Sequence, residues 1–327
     1  MSQSRLSLAV EGNGLELPVD GRIGVFAARV GQDLSALPRE RVEVIQPLYP
    51  DHQAFLRAGY PCSVSEDGQY SVALVCLPRA KAQARDLIAR AAACADLVVV
   101  DGQKTDGADS MLKACRKRTE LLGTISKAHG KLFWFKGGDF SDWRAPDVQE
   151  IEAGFLTSAG VFSADGIDPA SAALAAALPQ KLGRNVADLG AGWGYLSAEV
   201  LKRPGVETLF LVEADRIALN CAERNIEDTR AKFHWADVLS WEPRARMDTV
   251  VMNPPFHSGR SAEPALGVAF IEAAARMIAP SGQLWMVANR HLPYETTLKA
   301  RFGQVEEVAG DNRFKILHAT RPARTRG

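Results

Sequence analysis

Residues 186–195 read VADLGAGWGY, and few stretches restrict a chain more tightly. A short apolar run ends around Asp188, glycines alternate at Gly190, Gly192 and Gly194, and a helical pattern opens at Tyr195. Glycines at those places remove the Cβ atoms that would block a ligand from the turn. The helix that follows begins with backbone N–H groups lacking intrahelical partners. Strand, tight turn and helix in this order open a parallel α/β unit, and such sheets take ligands beyond the carboxyl ends of their strands.

The rest of the second half repeats the alternation. Strands are expected at 208–212, 231–235, 249–252 and 284–288, and helices at 195–202, 216–226 and 264–278. Asp168-Pro169 supplies a cap and a first helical residue for another helix continuing through 170–178. Runs at 305–308 and 314–320 are separated only by a short polar turn, so they form a hairpin and the last strand is antiparallel. In the first half, 42–45, 70–77 and 96–100 read as strands and the Ala- and Arg-rich 79–95 as helix. Gly137-Gly138 opens a polar stretch, 137–154, which with Pro146 and several acids reads as a linker. The expected organisation is two α/β domains, 1–145 and 146–327, which suits a length of 327 residues.

Thirty-nine Lys and Arg balance thirty-nine Asp and Glu, which excludes a globally cationic nucleic-acid coat but not a local basic groove. No apolar run approaches a membrane span, and the first residues lack a signal peptide's apolar segment, so a cytoplasmic protein is expected. Five cysteines without a Cys-x-x-Cys pair, and histidines without ligand spacing, argue against a disulfide framework or a metal site.

The turn is neither Gly-x-Gly-x-x-Gly nor followed by Gly-Lys-Ser/Thr, so dinucleotide and P-loop readings lose ground. Asp188 is placed to meet an ammonium, which suits S-adenosylmethionine, a molecule with an amino-acid end and a sulfonium. Glu213 at the next strand end can accept ribose hydroxyls, and Asp237 at the third strand end can accept an adenine amine. Ala191, Ala214 and Val238 adjoin these positions, and Trp193 can wall the pocket.

Asn253-Pro254-Pro255-Phe256 ends the fourth strand. Two prolines stop the ladder and stiffen the corner. The Asn253 side-chain oxygen and the Pro254 carbonyl then offer two acceptors to one planar NH2 group, and Phe256 offers a ring on which a base can stack. Holding both amine protons favours pyramidal nitrogen during methyl attack, so catalysis is positioning and electrostatics.

Together these residues resemble class I S-adenosylmethionine-dependent methyltransferases with an Asn-Pro-Pro-aromatic motif, over residues 155–327. The resemblance implies a Rossmann-like sheet with its last strand antiparallel, and S-adenosylhomocysteine as product. It implies cofactor contacts from Phe162 and Ser163, in a closing segment 160–163, and from the motif residues above, Asn253 included. The corner Asn-Pro-Pro-Phe with His257, and the ending Asn312-Arg313-Phe314-Lys315, are similar to the small-subunit ribosomal RNA guanine-N2 methyltransferases (the RsmC-like family). That family carries a degenerate methyltransferase-like domain ahead of the active one, and 98–111 here is similar to it. The implied reaction is methyl transfer to a guanine N2 of 16S ribosomal RNA, with Pro255, His257, Arg313, Phe314 and Lys315 near the substrate. Adenine N6, a protein glutamine, or a non-catalytic RNA-binding role in ribosome assembly remain alternatives. A duplicated architecture favours a monomer.

The basic cluster at Lys113, Arg116, Lys117 and Arg118, with Lys127, Lys131 and Lys136, fits an RNA partner. The interleaved Phe133, Trp134 and Phe135 either stack bases or form a buried strand, and so continuous an apolar run favours burial.

Overall fold

The computed structural model describes residues 3–12, 14–255 and 264–323. The chain divides into two compact units, Met1–Asp147 and Val148–Gly327. Unit 1 holds helices α1 (Arg5–Gly12), α2 (Tyr49–Arg57), α3 (Lys81–Cys94) and α4 (Ala108–Cys115). Its strands are β1 (Ile23–Phe26), β2 (Val42–Ile45), β3 (Cys62–Ser63), β4 (Tyr70–Cys76), β5 (Ala95–Gln103), β6 (Leu121–Lys127) and β7 (Gly130–Phe135). They form one sheet of order β3-β2-β1-β4-β5-β7-β6, parallel through β5 and antiparallel at β7.

Unit 2 begins with a small antiparallel pair, β8 (Gln149–Glu150) and β9 (Leu156–Thr157). Its main sheet holds β10 (Asn185–Leu189), β11 (Thr208–Glu213), β12 (Ala231–Trp235), β13 (Met247–Met252), β14 (Ile278–Asn289), β15 (Phe302–Gly310) and β16 (Phe314–Pro322). The order is β12-β11-β10-β13-β14-β16-β15, the same permutation as in unit 1, and β16 runs antiparallel to both neighbours. Its helices are α5 (Pro169–Ala177), α6 (Tyr195–Leu201), α7 (Arg216–Asn225), α8 (Pro264–Met277) and α9 (Tyr294–Arg301).

Side chains of a central strand alternate between two covered faces. Val186 packs into the core that includes Leu174 and Leu196, whereas Ala187 and Leu189 pack into the core under Phe270 and Ile271. The α/β reading, the parallel alternation and the antiparallel last strand therefore hold. Helix α5 starts as expected: Asp168 accepts the Ser171 amide at 2.8 Å and Pro169 occupies the first turn.

Several elements of unit 1 were not legible. Strand β1 has four residues, one of them Gly24, and β6 alternates between half-buried and exposed positions at a sheet edge, so tertiary pairing defines both. The run 132–135 is core: Leu132, Phe133, Trp134 and Phe135 are all at most 2% exposed, so none of the three aromatics serves as a stacking platform for bases. Among the described residues no helix is long and apolar enough to cross a membrane.

Candidate cofactor and amine site

Strands β10 and β13 lie side by side and parallel, with Leu189 opposite Met252, so the glycine turn and the Asn-Pro-Pro corner leave the same edge of the sheet. The cleft between them is lined by Phe162, Ser163, Asp188, Gly190, Ala191, Gly192 and Asn253 from the expected set, and by Trp193. It is also lined by Asp168 and Ser171, which sequence reasoning placed only in a helix start.

All three turn glycines have positive φ, 76° at Gly190, 56° at Gly192 and 95° at Gly194. Their reasons differ. A Cβ on Gly194 would stand 2.9 Å from Ile226 and 3.2 Å from Ala222, so this glycine lets α6 start close against α7. A Cβ on Gly192 would meet nothing within 4 Å: the direction is open. Gly192→Val should therefore fold, with about 1–2 kcal/mol of backbone strain, and obstruct ligand approach. At least a tenfold loss of S-adenosylmethionine affinity is expected by calorimetry; unchanged affinity would mean that the turn does not contact the cofactor.

The turn is braced from the neighbouring strand. Gly190 and Ala191 donate their amides to the Val212 carbonyl at 2.8 and 3.2 Å. Glu213 accepts the Gly192 amide at 2.8 Å on one oxygen and the Asp215 amide at 2.8 Å on the other. A carboxylate retains further lone pairs after two such bonds, so Glu213 can still accept hydroxyl protons. Burial pushes its carboxyl up to about 7, against the lowering effect of its backbone bonds. Asp188 is 1% exposed in the central strand and receives one hydroxyl bond, from Ser197 at 2.6 Å. Burial raises it to about 7; the Ser197 bond opposes this and the Glu213 charge adds to it. Asp188 lines the cleft and Glu213 braces the turn from outside that lining; two carboxyls that burial makes costly to ionise favour a cationic ligand beside them.

Other expected contacts take varied places. Phe162 is 64% exposed at the cleft, and its carbonyl accepts the Trp193 indole N–H at 3.0 Å. Ser163 spends its hydroxyl on the Gly166 carbonyl within its own turn. Asp237 accepts the Leu239 amide just past β12, two strands from β10, and Ala214 accepts the Trp235 indole. The Val238 side chain is core, leaving only its backbone for a ligand. Phe256 and His257 lie outside the described residues.

Asn253 is the best-defined group. Its Nδ2 donates to Asp168 Oδ2 at 2.9 Å and to Ser171 Oγ at 2.8 Å. Both amide hydrogens have acceptors, so the amide cannot turn over without losing them, and Oδ1 is left to accept. Pro254 is buried and Pro255 exposed. The signal for Asp168 and Ser171 was the capping pattern Asp-Pro-x-Ser, which gave no hint of a partner more than eighty residues away.

Lys315 is not placed as a free substrate contact. It is 4% exposed and its Nζ is held by Glu295 at 2.6 Å and the Leu292 carbonyl at 2.7 Å. Lys315→Ala should cost about 2–4 kcal/mol in a denaturant titration, by leaving Leu292 and Glu295 without their donor. Its KM for RNA should stay unchanged. Arg313 pairs weakly with Asp311 at 3.7 Å, remains mostly exposed, and lies over the Phe314 ring.

A seven-stranded sheet of this order, a glycine turn at its central strand and an Asn-Pro-Pro corner beside it define a class I S-adenosylmethionine-dependent methyltransferase. The family described as methyltransferase small domain matches residues 152–318. The ribosomal RNA small subunit methyltransferase C of Hahella chejuensis is 30% identical over 273 residues, covering 78% of this chain and 79% of that protein. The chain belongs to the methyltransferase small-domain family and, within it, to the family of ribosomal RNA small subunit methyltransferases C. The ribosomal RNA large subunit methyltransferase G of Streptomyces avermitilis is 38% identical over 185 residues, but these cover only 55% of this chain and 49% of that relative. A solved T. thermophilus structure, described as a 16S rRNA N2 G1207 methyltransferase with AdoMet and guanosine, shares the fold. Its TM-score is 0.78 at 24% identity, over 98% of this chain and 92% of that one.

Proposed function

We propose that this chain transfers the methyl group of S-adenosylmethionine to the exocyclic N2 of a guanine in 16S ribosomal RNA. The observation that carries the reaction is the Asn253 amide, locked by Asp168 and Ser171 with its oxygen turned to accept. The acceptor is inferred from relatives whose similarity runs through both halves of the chain.

The residues fit the cofactor. Asp188 and Glu213, raised toward neutrality, gain a counter-charge from its ammonium and sulfonium end, and Gly192 leaves the approach open. Glu213 and Asp237 would take its ribose and adenine. The bound group supplies an electrophilic methyl; the chain's own work is to hold the amine. An aromatic amine is a weak nucleophile because its lone pair enters the ring. Asn253 Oδ1 and the Pro254 carbonyl hold its two protons, which favours the pyramidal nitrogen that attacks. A guanine within a helix must leave the stack to reach them, and Phe256 would then support its ring.

Unit 1 serves as a degenerate copy of the catalytic fold. Its sheet has the same order, but the turn after β1 has no glycine triplet. We place the protein in the cytoplasm, as a monomer without a metal.

The higher local identity to a large-subunit enzyme favours one second reading, a guanine of the large-subunit RNA. Tritiated S-adenosylmethionine, offered with unmodified 30S subunits, 50S subunits, naked 16S RNA and protein extract, separates them. Label in N2-methylguanosine from 16S RNA is expected. Label from 50S subunits would move the substrate to the other particle, and label in N6-methyladenosine or in protein would overturn the acceptor. Cofactor binding without any label would favour a scaffold.

A further inference from the structure

Asn225 is the last residue of α7; it is half-buried and stands outside the lining of the cleft. Its side-chain amide is fully engaged. Oδ1 accepts the Leu156 amide at 2.7 Å, and Nδ2 donates to the Leu156 carbonyl and to the Trp193 carbonyl, both at 2.8 Å. Strand β9 pairs with β8 along one edge, and Asn225 satisfies the Leu156 N–H and C=O on the other. Turning the amide over would set Nδ2 against the Leu156 N–H and Oδ1 against two carbonyls, so its orientation is fixed.

The amide joins two pieces of the cofactor site. Leu156 begins the segment that reaches the cleft at Phe162 and Ser163, and Trp193 belongs to the glycine turn. The far end of the segment is fastened as well, because the Trp193 indole donates to the Phe162 carbonyl at 3.0 Å. The Trp193 ring lies against Phe155, with 5.2 Å between centroids. Residues 156–162 are thus secured to the turn at both ends. Between them a turn bonds the Val161 amide to the Ser158 carbonyl at 3.3 Å, and Thr157 Oγ1 donates to the Ala164 carbonyl at 2.7 Å. Past β9 this stretch has neither helix nor ladder until α5. Such a stretch has many conformations when untethered, and ordering it at the moment of binding would be subtracted from affinity.

We infer that Asn225 is a positioning residue for the cofactor: it holds residues 156–162 against the glycine turn before S-adenosylmethionine arrives, so that Phe162 and Ser163 meet the ligand already in place. The inference rests on the cofactor reading above and assigns no contact between Asn225 and the ligand. The amine corner is fastened separately, by Asp168 and Ser171 on Asn253, so the effect falls on cofactor binding and not on the transfer step.

The test uses the full chain with Asn225→Ala and with Asn225→Asp, which keeps the shape but turns an oxygen toward two carbonyls. The S-adenosylmethionine Kd, measured well below each Tm, should rise about tenfold, as for a segment in place about a tenth of the time. Both kcat at saturating cofactor and KM for RNA should stay unchanged. With fluorotryptophan incorporated, the Trp193 fluorine resonance, assigned by its loss in Trp193→Phe, should broaden in the cofactor-free variants and sharpen on saturation. Trp193→Phe removes the indole donor at the other end and should also raise Kd. Combined with Asn225→Asp it should raise Kd by less than the product of the two effects. Arg230→Ala frees the Leu201 and Val206 carbonyls at the opposite end of the sheet; it should lower Tm and leave Kd unchanged.

An unchanged Kd with a lowered Tm in the Asn225 variants overturns the inference and leaves Asn225 as a helix-end brace. An equal rise in Kd from Arg230→Ala overturns it as general loosening. Independent effects of the Asn225 and Trp193 substitutions overturn the shared segment, and a fall in kcat at unchanged Kd moves Asn225 to the amine corner. Should neither Asn225 variant fold, an unchanged Kd in Trp193→Phe overturns the inference by itself. A wild-type chain that does not bind S-adenosylmethionine brings down the cofactor reading with it.

Discussion

Asn253→Ala is expected to lower kcat about 10²–10³-fold while the protein keeps its fold and its cofactor affinity within about tenfold. The substitution removes the acceptor that faces the amine and leaves Asp168 and Ser171 without a donor, but Asp168 still caps α5 through the Ser171 amide at 2.8 Å. Single-turnover methylation, circular dichroism and cofactor titration separate the effects. Asn253→Asp should be no better, because a second carboxylate would face Asp168 where an N–H donor now stands. Turnover close to wild type in either variant would remove the assigned role of Asn253.

The second large effect concerns Asp188. Its folded pKa of about 7 lies above the ordinary carboxyl value, chiefly through burial. Between about pH 4 and pH 7 the unfolded chain is ionised there while the folded chain keeps its proton. Stability from this group therefore falls as pH rises through that window, and the deficit persists above it. Glu213 acts in the same direction. Asp188→Asn removes the cost of an ionised buried group and keeps an acceptor for Ser197. At pH 8 the variant should melt higher, by on the order of 5 °C for 2 kcal/mol, with no gain at pH 4.5. It should also lose at least 100-fold in S-adenosylmethionine affinity. In the wild type, cofactor affinity should tighten as pH rises from 6 to 8, with proton release visible as a buffer-dependent binding enthalpy. A pH-independent affinity, or a variant that still binds, would separate Asp188 from the cofactor.

Much of unit 2 was legible because its signals are local. Apolar runs of four to six residues, Asp168-Pro169 at a helix start and glycines alternating after a strand each act within one turn of chain. In unit 1 the edge strand β6 has no apolar alternation to announce it, since its partner β7 carries the burial. Lys315, expected near the substrate from the resemblance, is buried because Glu295 and Leu292 of another segment converge on it, a partnership that nothing in its neighbouring residues announces.

The sequence by itself determined the parallel alternation, the glycine turn after β10 and the stiff corner at Asn253-Pro254-Pro255, because backbone freedom and periodicity are properties of neighbouring residues. Only the tertiary structure decided how those pieces became a site. Register set β13 beside β10, and packing buried Asp188 until its carboxyl approached neutrality. The fold also brought Asp168 and Ser171, 85 and 82 residues before Asn253, to its amide. Hydrogen-bond partners at such separations leave no periodic trace, since what selects them is a distance in space.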